Sequence, residues 1–294
     1  MALFIICAGI SIALTGLTYY FAGLYQQWYW FWSIPLMLYG YFLVCFATWL
    51  LILFLVGLFV KEDEDYIYPP NRFCQWMVKQ TCRVICFILG MRVHITGLGK
   101  LPNEGPVMII HNHLSVFDEI ALAAYYPHLI LFISKPENFR IPVGGPWMRY
   151  AGYLPMKQGD MNAGKRVIEK AAGYIKRGIN VCIAPEGTRN KDFPNPVLLP
   201  FHPGSFHLSL QAKCPIVVLA IQNTNCVLKR FPRHFTHIYI DCVGVLRAEE
   251  YENLPTHEIA AKTRDMIEKR LNRKDARFYH FKPKKKKGDP EEEA

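Results

Sequence analysis

The first 60 residues contain no Asp, Glu, Lys, Arg or His, and the first charged residue is Lys61. All 34 basic and 24 acidic residues therefore lie in the rest of the chain. A run of about 20 apolar residues can cross the hydrocarbon core of a bilayer, so this segment has room for two passes. We predict a transmembrane helical hairpin in residues 1–60, with passes near Ala2–Leu24 and Pro35–Val60.

Residues 25–32, between the two passes, include three tryptophans and two tyrosines, which suit the headgroup level of a bilayer. A cleaved signal peptide is the alternative, but no basic residue precedes the first apolar run and a second run follows it. Arg72, Lys79, Arg83 and Arg92 follow the hairpin, and basic residues there favour the cytosolic side. We expect a membrane-integrated chain with a cytosolic active domain that the hairpin only places at the interface.

Residues 61–90 are predicted to form an interfacial amphipathic segment. A helix over residues 72–89 would carry one apolar face at 100° per residue. Arg72, Lys79 and Arg83 lie along the margin of that face, a pattern that suits an anionic membrane surface. An ordinary helix packed on the domain core is the alternative. The apolar face consists of Phe73, Trp76, Met77, Val84, Phe87 and Ile88.

Residues 91–275 alternate short apolar runs with helical patterns, which predicts an α/β domain: a mixed sheet covered by helices, with some strands antiparallel. Residues 276–294 contain a lysine run and then a glutamate run, typical of a charged, disordered tail. The predicted strands are Arg92–Thr96, Val107–His111, Leu129–Ser134, Tyr153–Lys157, Asn180–Ala184, Ile216–Gln222 and His237–Val245. The predicted helices are Val116–Tyr126, Pro146–Ala151, Met161–Arg177, Ser205–Ala212 and Thr256–Arg273.

The formal net charge of +10 raises the question of an anionic partner. For a membrane-anchored chain the nearest one is the anionic bilayer surface, so we expect membrane lipids and no nucleic acid. The nine cysteines show no Cys-x-x-Cys pair and no His/Cys metal spacing. We therefore predict reduced packing cysteines, no metal and no bound cofactor.

A histidine and a carboxylate form the first candidate site: His113 follows a predicted strand and Asp118 falls in the first turns of the next helix. A carboxylate bonded to one ring nitrogen fixes the tautomer and leaves the other nitrogen free to accept a proton. No nucleophile elbow is present, so direct transfer is favoured over a covalent intermediate, with Ser115 as the alternative nucleophile. A buried structural histidine is the alternative for His113, and the spacing to Asp118 excludes His111 as the base.

The turn Glu186-Gly187-Thr188-Arg189 forms the second candidate site, because it follows an apolar strand where open α/β sheets bind ligands. Arg189 can bind a phosphate through two parallel hydrogen bonds. Glu186 would repel a phosphate, so we expect it to orient Arg189 or another cation. A surface turn closed by an Arg–Glu pair is the alternative.

Over residues 90–225 the chain resembles the glycerolipid acyltransferases, the lysophosphatidic acid acyltransferase family. The family's Asn-His-x4-Asp motif is matched by Asn112, His113 and Asp118, and its Glu-Gly-Thr-Arg motif is matched in full. Two positions depart from the family pattern: Lys157 follows the second motif's strand where arginine is usual, and His202 replaces a lysine. Further matches are Lys135, Glu137, Pro142, Gly145, Gly152, Phe201, Gly204 and the run Cys214–Val218.

The resemblance implies transfer of a fatty acyl group from acyl-CoA or acyl carrier protein to the sn-2 hydroxyl of 1-acyl-glycerol-3-phosphate. His113 would be the base and Asp118 its orienter. Arg189, Thr188, Lys157 and Lys135 would hold the acceptor phosphate. The helix N-terminus after His113, or backbone N–H groups near Gly187, would stabilise the developing oxyanion. The alternatives are another lyso-lipid or glycerol-3-phosphate as acceptor, and a non-catalytic lipid-binding membrane protein.

Overall fold

The structure is a computed structural model that describes residues 2–26, 28–59, 68–157, 159–273 and 275–279. Most of the predicted tail, residues 276–294, lies outside these ranges, as does the charged flank that begins at Lys61. The strands are β1 (Met91–Thr96), β2 (Met108–His111), β3 (Ile130–Ser134), β4 (Leu154–Pro155), β5 (Asn180–Ile183), β6 (Ile216–Gln222) and β7 (Thr236–Leu246). The helices are α1 (Ala2–Phe21), α2 (Ser33–Gly57), α3 (Arg72–Ile88), α4 (Phe117–Tyr125), α5 (Gly144–Tyr150), α6 (Met161–Lys176), α7 (His207–Ala212), α8 (Val227–Arg230) and α9 (Thr256–Leu271).

The strands form one sheet in the order β1-β7-β6-β2-β5-β3-β4. Neighbouring strands are parallel except for β6 and β7, which pair antiparallel. Every residue of β2 and β6 is buried, as continuous apolar strands covered on both faces require. The predicted mixed α/β sheet covered by helices is confirmed.

Strand β4 is shorter than the predicted Tyr153–Lys157, because only Leu154–Pro155 pairs with its neighbour. Proline has no backbone N–H to donate to a sheet, so it is confined to edge strands and strand ends. The four-residue helix α8 has no counterpart in the sequence prediction.

Helices α1 and α2 contact each other, and the hydroxyl groups of Thr18 and Tyr41 lie 2.6 Å apart. The helix Trp30–Gly57 is long and apolar enough, by length and composition, to cross a membrane, whereas the apolar helix Ile5–Phe21 is shorter. The helix bounds agree with the predicted passes within a few residues. That both helices cross a bilayer stays a prediction.

Helix α3 lies between the hairpin and the domain helices α4 and α5. Val84 packs with Cys7 of α1 and with apolar residues of α2, while Gln75 donates to the Ala151 carbonyl of the domain. Lys79 Nζ donates to the Tyr126 carbonyl at 2.6 Å, and Arg83 Nε donates to the Ala124 carbonyl at 2.9 Å. These two cations therefore bind the carbonyl end of α4, where a helix attracts positive charge. The interfacial role of residues 61–90 stays a prediction.

The parallel strands place the two predicted motifs at one edge of the sheet. Strands β2, β3, β5 and β6 run in the same direction, so their carboxyl ends meet at that edge. The segments that leave those ends begin with Asn112, Lys135, Ala184 and Asn223. This edge is where open α/β sheets bind ligands.

Candidate active site

Asn112 fixes the start of the loop between β2 and α4. Its side chain is fully buried and bonds both backbone groups of Ile221 in the neighbouring strand: the amide donates to the carbonyl at 2.9 Å, and the amide oxygen accepts from the N–H at 2.7 Å. An asparagine side chain carries a donor and an acceptor like a peptide group. Asn112 therefore extends the pairing of β2 with β6 and holds His113 at the sheet edge.

His113 and Asp118 are in direct contact, with 2.9 Å between Nδ1 and Oδ2. The same Oδ2 accepts from the backbone N–H groups of Leu114 at 2.7 Å and Ser115 at 2.8 Å. The Thr224 hydroxyl, which follows β6, donates to the other carboxylate oxygen, Oδ1. Because these partners use Asp118 as an acceptor, Nδ1 of His113 is the donor and Nε2 is left to accept a proton.

The electrostatics around His113 favour its basicity. Burial by itself lowers the pKa of His113, but the hydrogen bond to Asp118 and the negative charges of Glu119, Asp118 and Glu186 outweigh it, so the pKa lies above 6.5. Glu119 Oε1 lies 3.7 Å from His113 Nδ1. Burial raises the pKa of Glu119 to about 7, against the opposing charges of His113 and Arg189. The charge on each of His113 and Glu119 therefore affects the protonation of the other.

Glu186 lies behind the histidine loop and is buried. Its carboxylate accepts from the backbone N–H of His113 at 2.9 Å and from that of Leu199 at 3.0 Å. Burial raises the pKa of Glu186 to about 7, although the two backbone hydrogen bonds oppose the rise. We predicted that Glu186 orients Arg189 or another cation; the observed contacts instead join it to the backbone of His113 and of the loop after β5.

A polar cavity of about 90 Å³ opens in front of His113. Arg189 and Lys135 contribute its cationic side chains, and Gly187 and Glu119 also line it. The guanidinium of Arg189 is exposed and makes no hydrogen bond or ion pair with any residue that the structure describes. It is thus available to an anionic ligand.

Two of the predicted phosphate-binding residues lie outside this cavity. Thr188 and Lys157 are exposed, and neither belongs to the residues that line the polar cavity. Met156 lines the polar cavity at the point where the neighbouring Lys157 was expected. The structure therefore brings together His113, Arg189 and Lys135, with Asp118 and Glu186 buried behind them.

A second, apolar cavity of about 360 Å³ adjoins the polar one. Four residues line both cavities and mark their junction: Val116, Glu119, Ser134 and Asn138. Leu53 of α2 closes part of the apolar cavity, and the indole N–H of Trp147 in α5 donates to the Leu53 carbonyl at 2.9 Å. Its other walls are apolar residues of α3, α4 and α5, among them Val78, Ile85, Ile120, Ala123 and Met148.

His111 is separated from this chemistry. It is 1% exposed, its Nδ1 contacts the Asn112 carbonyl oxygen at 2.8 Å, and burial lowers its pKa to about 4. A histidine of this kind is neutral at pH 7 and lines neither cavity. This placement agrees with the prediction that His113, and not His111, is the base.

His113, Asp118 and Glu119 also satisfy the spacing of a metal site, since one ligand atom of each lies within 4.8 Å of the others. Asp118, however, already accepts two backbone N–H groups and the Thr224 hydroxyl in addition to the His113 ring. Its lone pairs are therefore used within the protein. The group fits a hydrogen-bonded catalytic pair better than a cation site.

The sequence reasoning missed Glu119, Thr224, Ser134 and Asn138. Glu119 directly follows Asp118, and Ser134 and Thr224 lie at the ends of β3 and β6. The carboxyl ends of parallel strands meet at one edge of a sheet, and this rule would have pointed to Ser134 and Thr224. No local pattern identifies Asn138 or the two cavities.

The site can therefore accept a proton at His113, bind an anion through Arg189 and Lys135, and hold an apolar chain beside them. This combination fits a substrate that carries both a phosphate and a hydrocarbon chain.

The chain is similar to known proteins over much of its α/β domain. The model of the family described as Acyltransferase matches residues 92–222. The chain is 28% identical over 178 residues to mouse (Mus musculus) 1-acyl-sn-glycerol-3-phosphate acyltransferase alpha, covering 60% of this chain and 61% of that protein. It is 23% identical over 201 residues to the 1-acyl-sn-glycerol-3-phosphate acyltransferase of Borreliella burgdorferi, covering 66% and 78%. The chain thus spans between about half and three fifths of the mammalian relatives it matches.

The solved 1-acyl-sn-glycerophosphate (LPA) acyltransferase PlsC of Thermotoga maritima has a similar fold. The TM-score is 0.55 at 17% sequence identity, and the match covers 90% of this chain and 98% of that chain. At this identity the likeness concerns the fold alone. Residues 92–222, which match the model of the Acyltransferase family, hold the residues of both motifs at the carboxyl edge of the sheet.

Proposed function

We propose that the protein is a membrane-bound O-acyltransferase that moves a fatty acyl group from a thioester donor to the sn-2 hydroxyl of 1-acyl-glycerol-3-phosphate, giving phosphatidic acid. The relatives that carry this activity in their names support the choice of reaction. The observation that carries the proposal is the position of His113: it lies beside a cationic polar cavity that adjoins an apolar cavity.

The geometry supports a direct transfer. The acceptor phosphate binds Arg189 and Lys135 in the polar cavity, which brings its hydroxyl to His113. An acyl chain occupies the apolar cavity, so its thioester carbonyl lies at the junction. His113 Nε2 removes the hydroxyl proton while Asp118 holds the ring. Ser115 is poorly suited to act as nucleophile, because it lines neither cavity.

The membrane assignment rests on helices α1 and α2. We propose that the hairpin is embedded in a bilayer, with the domain on the cytosolic side and in contact with anionic lipid. The apolar cavity has a wall formed by α2, so a lipid chain can pass between the bilayer and the site. The donor is acyl-CoA or acyl carrier protein; either delivers the same thioester.

The test is acyl transfer by purified full-length protein in detergent, with acyl-CoA or acyl carrier protein as donor and lysophosphatidic acid as acceptor. We expect phosphatidic acid as product, and His113→Ala should lower turnover by about 10²–10⁴-fold. His111→Ala serves as the matched control and should have a much smaller effect at equal protein level. Near-normal turnover by His113→Ala would exclude the base role, and an inactive native protein would exclude the proposed function.

Another acceptor is the second candidate, because only two of the four predicted phosphate ligands line the polar cavity and Glu119 adds a carboxyl group there. A hydroxyl-rich headgroup could use that carboxyl as a hydrogen-bond acceptor. A panel of lysophosphatidic acid, other lysophospholipids and glycerol-3-phosphate, compared by kcat/KM, separates the candidates.

A further inference from the structure

Acyl transfer places a negative charge on the thioester carbonyl oxygen, and stabilising that charge requires hydrogen-bond donors aimed at it. Three backbone N–H groups near the two motifs are engaged within the protein. In the loop before α4, the N–H groups of Leu114 and Ser115 both donate to Asp118 Oδ2. In the second motif, the N–H of Gly187 donates to the Ala184 carbonyl at 3.0 Å. These three N–H groups are therefore not available to the oxyanion.

The junction of the two cavities offers such donors. Ser134, the last residue of β3, and Asn138, in the short 3-10 helix Pro136–Arg140, line both cavities. Asn138 Nδ2 donates to Ser134 Oγ at 2.7 Å. This bond leaves the Ser134 hydroxyl hydrogen and the second amide hydrogen of Asn138 without an acceptor among the described residues. Both side chains are partly buried, so these donors work in a site with restricted access to water.

The position of the pair matches where the reacting carbonyl must lie. With the acyl chain in the apolar cavity and the acceptor hydroxyl at His113, the thioester carbon has to sit where the cavities meet. Val116 is apolar and Glu119 is acidic, so Ser134 and Asn138 are the neutral hydrogen-bond donors among the four residues that both cavities share. Lys135 lines only the polar cavity, which suits the phosphate.

We propose that Ser134 and Asn138 are further catalytic residues that donate hydrogen bonds to the thioester carbonyl oxygen. The proposal rests on the proposed acyltransferase function. The acceptor hydroxyl gives its proton to His113 and its oxygen bonds the carbonyl carbon. The carbonyl electron pair moves to the oxygen, where Ser134 and Asn138 bind it. The carbonyl then re-forms, the carbon–sulfur bond breaks, and the leaving thiolate takes the proton from His113.

The experiment measures steady-state kinetics of full-length Ser134→Ala, Asn138→Ala and the double variant in detergent, with acyl-CoA and lysophosphatidic acid. Loss of one such donor lowers kcat by about 10²–10³-fold, and we expect this for Ser134→Ala, with a similar loss for Asn138→Ala. The KM values for donor and acceptor should change little, because the charge exists only in the transition state. Ser134→Thr keeps the hydroxyl and should recover most of the activity.

Two controls separate catalysis from structure. Asn162→Ala, on the exposed start of α6, should match the native enzyme. Binding of a non-reactive acyl thioether analogue of the donor, measured by calorimetry, should be unchanged in Ser134→Ala and Asn138→Ala. The oxyanion role is overturned if both variants keep the native kcat. It is also overturned if weaker binding of the analogue accounts for the whole loss of activity. In either case the acyltransferase function still stands. If the native protein forms no ester from any donor and acceptor, the proposed function itself fails, and this inference with it.

Discussion

At the scale of single residues, the site depends on how buried carboxyl groups are used. Asp118 orients the His113 ring and also binds the loop around it, whereas Glu186 holds the His113 backbone from the other side. Glu119 is the third carboxyl group and the one that faces both cavities. The negative charge of Glu119 raises the pKa of His113, whereas the hydrogen bond to the ring is made by Asp118.

The pH dependence of catalysis should report the effect of Glu119. The base form of His113 is neutral, so activity should fall as pH decreases through its raised pKa. Glu119→Gln removes one of the negative charges that raise this pKa, so the acid limb of kcat/KM should move to lower pH. The weaker base should also lower the plateau rate. A limb that stays in place, or moves to higher pH, in a pH–rate series would contradict the assigned interaction.

Arg189 should govern acceptor binding. A hydrogen bond to a charged group contributes about 1.5–3 kcal/mol, so Arg189→Ala should raise the KM for the lyso-acceptor about 10- to 100-fold. The donor KM should move little. Arg189→Lys keeps the charge but loses the planar pair of donors, so its KM for the lyso-acceptor should lie between that of the native protein and that of Arg189→Ala. If the donor KM rises instead, Arg189 belongs to the donor phosphates.

At the scale of secondary-structure elements, the parallel strands do most to assemble the site. They bring segments from four parts of the chain to one edge, and Asn112 ties the end of β2 to β6. This link also positions Thr224, which follows β6 and donates to Asp118. The histidine loop and the end of β6 therefore depend on each other.

Asn112→Leu should test this link. The substitution leaves the buried N–H and carbonyl of Ile221 unpaired, and each unsatisfied group costs about 1–3 kcal/mol. The free energy of unfolding, measured by denaturant or heat in detergent, should fall accordingly, and turnover should fall with it. Asn253→Leu, at an exposed position, is the control. Unchanged stability of Asn112→Leu would show that the side chain is not needed to join the strands.

At the scale of the whole molecule, the hairpin and the domain share a surface. The absence of ionisable side chains from residues 1–60 predicted a hairpin that only places the domain at the membrane. The structure adds two contacts to that expectation: Val84 of α3 packs against the hairpin, and Leu53 of α2 lines the apolar cavity. The hairpin therefore belongs to the wall of the site.

Removal of residues 1–59 should accordingly abolish activity both on vesicles and on acceptor dispersed in detergent, since the apolar cavity loses a wall. Replacing Trp28, Trp30 and Trp32 with serine should instead reduce activity on vesicles and spare it in detergent. Both proteins must first be shown to be folded and monodisperse by circular dichroism and size-exclusion chromatography. A folded truncation that remains active in detergent would restore the placement role.

Local patterns in the chain determined the mixed sheet, the bounds of most strands and helices, and the pairing of His113 with Asp118. Each of these depends on residues close together in sequence: a strand period, a helix period, or a spacing of five residues. The same patterns indicated Arg189 as a cation of the site, because its motif follows an apolar strand, and the family resemblance added Lys135. Thr188, from the same turn, and Lys157, from the family resemblance, were expected there too, but neither lines the polar cavity.

Only the tertiary structure decided which side chains surround the reacting atoms. Thr224 lies more than 100 residues from Asp118, and Leu53 reaches the cavity from a helix that precedes the domain. Contacts of this kind leave no periodic trace, because they arise from how strands and helices pack rather than from the sequence of any one element.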